Sequence, residues 1–505
     1  MKSNKSLLAE LVSDSVRNVA ANLVSLPITF FSSLMIARIL GPELTGITSA
    51  AIALILTYTI NLHMGTLNAL SQRYPWLMGQ GTPEASEEAR RILGVVLGFI
   101  GITAAGSAIL VLILAAWKYH TGSHLLALGL CFGAVISALQ LFKTYYFFLI
   151  RSTNQFAFLS RFTLMFAWVP LVWLAGARWG GVVAQWGALA VTELILCVVL
   201  YRTVGRNVTW EFDWNASWKY IRLGFPIYIV GTLFGFFTSI DRLAAATLLG
   251  TTALGIYGVA SMAGTLLGVV PTVITQIMWP RIAEKLGALG TDWRTIFPYI
   301  EKPTMLMAFL LPPLIGVVIL AIPPATETLL PRYVTGIAAA QISILGVYFL
   351  GLMGIYGVFL GTSLRLFPYG VATIIGIVVG LAGSYLSARL HWGLEGMAWI
   401  KNISHGVVAI ILIFYVGRLF GLGWKALVRR MVILLSPMAI VYLFVFWLIP
   451  LLVPGNAATG YGVLKQLSYR VALLGLLSSP LVGYAIHSGG IAGDVASLFR
   501  RATRS

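Results

Sequence analysis

Apolar residues run along this chain in blocks of about 18 or more, separated by short clusters of Gly, Pro and charge. The blocks predict membrane-spanning helices at about 18–40, 45–70, 92–116, 125–149, 156–176, 181–202, 220–246, 253–279, 303–322, 335–360, 366–388, 393–416, 431–450 and 465–487. Hydrocarbon gives backbone N–H and C=O groups no partner, so a spanning element is either a helix or part of a closed barrel. Continuous apolar runs exclude barrel strands, which alternate over roughly 10 residues. The expected fold is an all-α polytopic membrane protein of about fourteen helices.

Composition sharpens this. The chain is 59% hydrophobic and only 10% charged, where soluble domains carry roughly 25% charge. No stretch is left over for a separate soluble domain. The N-terminal stretch holds Glu10 and Asp14 with no small-residue cleavage site after it, so the first span is expected to be retained. Cys131 and Cys197 sit singly in apolar spans, which suggests neither a disulfide nor a zinc site. No cofactor is expected.

A net charge of +18 would suggest nucleic acid in a soluble protein, but here the positions of the charges decide otherwise. With the N-terminus in the cytoplasm, most of the 34 Lys and Arg fall in cytoplasmic loops, Arg90, Arg91, Lys143, Arg202, Arg206, Arg429 and Arg430 among them. This is the positive-inside pattern. It predicts an even number of spans in the cytoplasmic membrane, both termini cytoplasmic, and the anionic bilayer rather than nucleic acid as the partner of the basic residues.

One punctuation occurs twice. Leu40-Gly41-x4-Gly46-Ile47 matches Leu249-Gly250-x4-Gly255-Ile256 at an offset of 209 residues, Gly41 to Gly250, and the same offset lays Gly187–Ala190 on Gly396–Trp399. An offset of six helices implies two lobes in the same orientation, 1–205 and 206–418, followed by two extra helices in 419–505. Parallel repeats of this kind are a transporter plan with the substrate between the halves.

Polar and small residues recur at helical spacing in the repeat-related spans. Asn18, Asn22, Ser25, Thr29 and Ser32 share a face of the first, and Asn61, Gly65, Asn68 and Gln72 of the second. Tyr228, Gly231, Gly235, Thr238 and Arg242 do so in the seventh, and Ser261, Thr265, Gly268, Thr272 and Gln276 in the eighth. Each stripe by itself fits close packing through small residues. Four together fit the wall of a polar cavity.

Charges inside the spans need a reason, because an ionised group at mid-membrane costs on the order of 3 kcal/mol. Arg242 lies on the polar face of its helix, while Asp241 is turned about 100° away. Lys401, one helical turn from His405, is a candidate anion-binding cation or half of a structural ion pair. Glu193 has no cation within a turn on its own helix, and reads either as a proton or sodium site or as a partner of a neighbouring helix. Arg38 lies off the Asn18–Ser32 face near a span end, where a long side chain can snorkel.

No phosphate-binding loop, zinc-hydrolase helix, nucleophile elbow or dinucleotide fingerprint occurs. The outer loops hold only isolated acids such as Glu327 and Glu395, which argues against a membrane glycosyltransferase or ligase and against an enzyme in general.

In "ARILGPELTGI" (Ala37–Ile47) and "SIDRLAAATLLGTTALGIYGVASM" (Ser239–Met262) the chain resembles the polysaccharide (O-antigen type) flippase family of the multidrug/oligosaccharidyl-lipid/polysaccharide exporter superfamily. The resemblance implies movement of an undecaprenyl-pyrophosphate-linked oligosaccharide from the inner to the outer leaflet, by alternating access through a cationic cavity, in surface polysaccharide biosynthesis. A polysaccharide polymerase is a candidate partner, and Asp241 and Glu193 are the candidate carboxylates for proton or sodium coupling, which a cation-coupled exporter would require. Arg38, Asp241 and Arg242 match the family's motifs, and Lys401 rests on its own position. The cavity lining expected is Asn22, Ser25, Thr29, Asn61, Asn68, Thr238, Thr265 and Thr272. The alternatives are a cation-coupled exporter of drugs or small amphiphiles and a lipid II flippase.

Overall fold

The computed structural model describes residues 4–488 apart from 59–61, 81, 154, 290–295, 364 and 454–459. The helices are α1 (Asn4–Tyr58), α2 (Thr66–Gln80), α3 (Pro83–His120), α4 (His124–Ser152), α5 (Phe156–Met165), α6 (Val169–Leu200), α7 (Trp214–Phe237), α8 (Ile240–Ala244) and α9 (Thr251–Leu289). They continue as α10 (Phe297–Leu329), α11 (Ile337–Ser343), α12 (Gly346–Thr362), α13 (Leu366–Arg389), α14 (Gly393–Leu419), α15 (Trp424–Leu443), α16 (Ile449–Leu452) and α17 (Gly460–Ser488). Among the described residues there is no strand.

The chain is thus an all-α polytopic membrane protein. By length and hydropathy, 10 helices among the described residues can cross a bilayer, and 11 if the pair 331–343 and 346–362, bent by about 40°, is one span. The sequence-based count was higher for a geometric reason: some predicted spans are joined end to end. Val24–Ala53 carries the first span and the start of the second through a break at Gly41 (φ 77°, ψ 173°). Phe158–Gly205 carries the fifth and sixth through a break at Gly180–Gly181. The last predicted span, 465–487, lies within the helix α17.

The second predicted span, 45–70, is not one helix. A turn at Leu62–Gly65 precedes α2, with Met64 at φ 45° and Gly65 at φ 88°. Gly65 lies so close to α7 that a Cβ on Gly224 would fall 1.9 Å from the Gly65 carbonyl oxygen. Only glycine on both sides permits that approach.

Two compact units divide the chain, Met1–Gly258 and Val259–Ser505. In the first, Leu67, Leu70, Ile92, Ile100, Tyr145 and Leu200 are fully buried in a core shared by α2, α3, α4 and α6. Lipid tails are as apolar as leucine, so such helices associate through close packing rather than through the hydrophobic effect. The repeated motif shows how close. Gly250 adopts φ 94°, ψ 170°, nearly the conformation of Gly41, in a region that costs other residues about 1–3 kcal/mol. A Cβ on Gly46 would fall 1.8 Å from the Thr251 oxygen, and one on Gly255 1.8 Å from the Pro42 oxygen. Pro42 and Thr251 hold the same place in the repeat, as do Gly46 and Gly255. The contact is reciprocal, the signature of a local two-fold.

The connection into α7 is tied to α3. The Glu211 amide donates to the Gly94 carbonyl (3.3 Å), and Arg91 binds Glu211 (3.1 Å) and Asp213 (2.7 Å). Asp213 also caps α7 by accepting from the Ala216 amide (3.1 Å), so one carboxylate starts the helix and fixes where it starts.

In the second unit α15 and α17 pack on α10. A Cβ on Gly316 of α10 would meet Leu474 of α17 and Val441 of α15 at 2.8 and 3.0 Å. Tyr348 of α12 donates its hydroxyl to the Leu434 carbonyl of α15, and Ser404 of α14 donates to the Gly376 carbonyl of α13 (2.7 Å).

Candidate functional site

Small residues in a membrane helix either let another backbone approach or leave room, and the two cases differ here by position. Around Gly46, Gly65, Gly224 and Gly255 other backbone atoms fill the space. Along the polar face of α7, a Cβ on Gly231 or Gly235 would meet nothing within 4 Å, and the same holds for Gly258, Gly264 and Gly268 along α9. These faces are open. The hydroxyls on them are held by their own helices: Thr238 donates to the Gly235 carbonyl (3.0 Å), Thr265 to Ser261 (2.9 Å) and Thr272 to Gly268 (2.8 Å). With its proton used locally, each threonine oxygen presents lone pairs outward as an acceptor.

On α1, Ser25 and Thr29 are half-buried, with Thr29 donating to the Ser25 carbonyl (3.0 Å). Asn68 is half-buried on α2, and its carbonyl accepts from the Ser71 hydroxyl (2.9 Å). Asn61 and the side chain of Asn22 lie outside the described residues. The stripes of the second and seventh spans come together where Gly65 meets Gly224. There the His63 ring sits edge-on to Tyr228, 5.1 Å between centroids.

The charged residues separate clearly. Asp241 is buried and accepts from the Tyr257 hydroxyl (2.9 Å), while its neighbour Arg242 is exposed, as a 100° step on a helix requires. Arg38 is also exposed, close to the Gly41 break. Lys401 is half-buried on α14 and donates to the Ser343 hydroxyl of α11 (2.9 Å). The next residue, Asn402, donates to the Ile342 carbonyl (2.6 Å).

Glu193 is buried on α6 and accepts from Lys143 through both oxygens (2.7 Å each) and from Gln140 (3.1 Å). Lys143 and Gln140 lie one helical turn apart within α4, both on the side that faces α6.

A second ion pair joins buried Arg430 to half-buried Glu301, and the apolar pattern does not mark it. Arg430 of α15 is only 5% exposed, binds Glu301 of α10 and donates to the Tyr356 hydroxyl (3.3 Å), with its guanidinium 5.0 Å from the Phe297 ring centre. Arg429 and Arg430 are adjacent, so both cannot point to the same side of a helix, and that was the available signal. Among the described residues no group of three or more His, Cys, Asp or Glu could hold a metal ion.

The family described as "Polysaccharide biosynthesis protein" matches residues 35–335. No curated protein sequence matches. Among solved structures, the lipid II flippase MurJ in an inward closed conformation is 13% identical with a TM-score of 0.69, covering 92% of this chain and 98% of its own. A MATE transporter in complex with MaD5 is 13% identical with a TM-score of 0.57, covering 82% of this chain and 96% of its own. An inward-facing multidrug resistance MATE family transporter of the MOP superfamily has a TM-score of 0.55 at 13% identity over the same shares, 82% and 96%. Identities this low speak to the fold alone. This chain belongs to the polysaccharide biosynthesis protein family, and its fold is that of the multidrug/oligosaccharidyl-lipid/polysaccharide exporter superfamily.

Proposed function

We propose that the protein is a flippase that carries an undecaprenyl-pyrophosphate-linked oligosaccharide from the inner to the outer leaflet of the cytoplasmic membrane, by alternating access, for surface polysaccharide biosynthesis. The observation that carries this is the open, acceptor-bearing face of α7, with Gly231 and Gly235 uncovered, followed by the exposed Arg242 on α8. A sugar-pyrophosphate headgroup cannot cross about 30 Å of hydrocarbon unaided, and such a face replaces part of its water while the lipid tail stays in the bilayer. Membership of the polysaccharide biosynthesis protein family supports a cargo that serves polysaccharide biosynthesis.

In this reading residues 1–205 and 206–418 are the repeat-related lobes, 419–505 an addition, and both termini are cytoplasmic. Arg242, Lys401 and Arg38 attract the pyrophosphate. Proton or sodium coupling at Asp241 or Glu193 requires displacing Tyr257 or Lys143, the partners these carboxylates hold. The protein acts as a transporter, not as an enzyme.

The likeness to a lipid II flippase structure favours a second reading in which lipid II is the cargo. Deletion of the gene separates the two. Accumulation of lipid-linked surface-glycan units on the cytoplasmic face supports the first, accumulation of lipid II the second. Normal surface glycan with altered drug tolerance overturns both.

A further inference from the structure

We infer that His63 and Tyr228 form a subsite for a neutral sugar ring of the transported headgroup, with the imidazole Nε2–H donating to a sugar hydroxyl and the phenol ring meeting the sugar's C–H surface. The inference rests on the flippase reading above and says where the glycan, as opposed to the pyrophosphate, is held.

The break in the second span carries it. Irregular backbone at membrane depth persists only inside protein or beside water. Tyr228 lies 8 residues into the span expected at 220–246, about 12 Å along the helix, so the Leu62–Gly65 turn beside it is inside a bilayer of about 30 Å. The turn is closed by the histidine itself. His63 Nδ1 accepts from the Gly65 amide (3.1 Å), and the His63 carbonyl accepts from the Thr66 amide (2.9 Å) and hydroxyl (2.8 Å).

A nitrogen that accepts an N–H bond carries no proton, so the imidazole proton sits on Nε2. Among the described residues the bond at Nδ1 is the only hydrogen bond to this ring. His63 therefore offers a neutral, directed donor at fixed orientation, half-buried rather than lost in the core.

The second half of the subsite is aromatic. Tyr228 stands edge-on to His63 (5.1 Å, 73°), with Phe225 5.7 Å behind it. Three residues further along the same face, a Cβ on Gly231 would meet nothing within 4 Å, so the face is open one turn beyond the phenol. An aromatic face is negative and a pyranose C–H surface is weakly positive, so the two attract. A neutral N–H donor beside an aromatic ring suits a hydroxyl-bearing ring better than a phosphate, which calls for cationic donors. The chemistry selects a neutral hydroxyl-bearing ring, and the exposed Arg242 on α8 is left for the pyrophosphate.

The test uses purified full-length protein and native mass spectrometry with two probes, undecaprenyl pyrophosphate and the same lipid bearing a disaccharide. In His63→Asn the shorter side chain still accepts from its own i+2 amide, as in an Asx turn, so the break survives while the Nε2 donor is gone. Tyr228→Leu removes the ring and leaves the turn untouched. Each is expected to lower the preference for the disaccharide lipid about tenfold, the size of one hydrogen bond or one aromatic contact, with wild-type thermal stability. An unchanged preference, or an equal loss for both lipids, overturns the subsite and leaves the flippase reading standing. Wild-type protein that binds neither lipid refutes both.

Discussion

The reciprocal glycine contact allows a prediction whose size follows from geometry. In Gly46→Ala the new methyl would fall 1.8 Å from the Thr251 oxygen and 3.1 Å from the Gly255 nitrogen, against an ordinary carbon–oxygen contact of roughly 3.3 Å or more. Both neighbours are backbone, so no rotamer change relieves the clash, and the two segments must separate by more than 1 Å. Overpacking of this kind costs about 1–3 kcal/mol, and rigid backbone on both sides puts Gly46→Ala at the upper end, roughly 3 kcal/mol. Gly255→Ala faces the same clash with Pro42. One separation relieves both, so the double variant should cost much less than the sum of the singles. Gly235→Ala is the control: its flank is open, and alanine in a helix gains about 0.5–1 kcal/mol over glycine. Unfolding of the purified protein followed by tryptophan fluorescence measures all four. Wild-type stability in Gly46→Ala, or strict additivity in the double variant, would refute the reciprocal contact.

The buried ion pairs and the glycine breaks give three more expectations. Glu193→Gln leaves Lys143 buried without its counter-charge and should destabilise by about 3–5 kcal/mol, whereas Glu193→Gln combined with Lys143→Met should recover most of the loss in the same unfolding assay. Arg430→Met strands Glu301 and frees α15 from α10, which should expose the segment 419–459 to limited proteolysis while the α3–α4 region stays protected. Gly41→Ala and Gly250→Ala each force alanine to positive φ and should lower stability by roughly 1–3 kcal/mol by the same measurement.

Much of the fold was legible because lipid imposes it: continuous apolar runs can only be helices, and the duplicated Leu-Gly-x4-Gly-Ile announced two glycines of one backbone conformation. The motif did not reveal that its second glycines touch one another, since contact depends on how helices cross, which a linear pattern does not carry. The same limit hid the Lys143–Glu193 and Arg430–Glu301 pairs, whose partners lie 50 and 129 residues apart. It also hid the break at Leu62–Gly65, where an apolar stretch of spanning length conceals the close approach of Gly65 to Gly224. The polar stripes were readable as stripes. Whether Gly231 and Gly235 admit a neighbour or leave space was not, because glycine serves either purpose.

The central claim is that the protein moves a glycan-bearing lipid between leaflets. Its most direct test is reconstitution of the purified protein into liposomes containing an undecaprenyl-pyrophosphate oligosaccharide with a fluorescent tag on the sugar, followed by quenching with membrane-impermeant dithionite. Wild-type protein should make the inner-leaflet half of the lipid accessible at a rate well above that of protein-free vesicles, and Arg242→Ala, expressed and folded, should reduce that rate. A wild-type rate equal to that of empty vesicles, under conditions in which a known flippase works, would contradict the account.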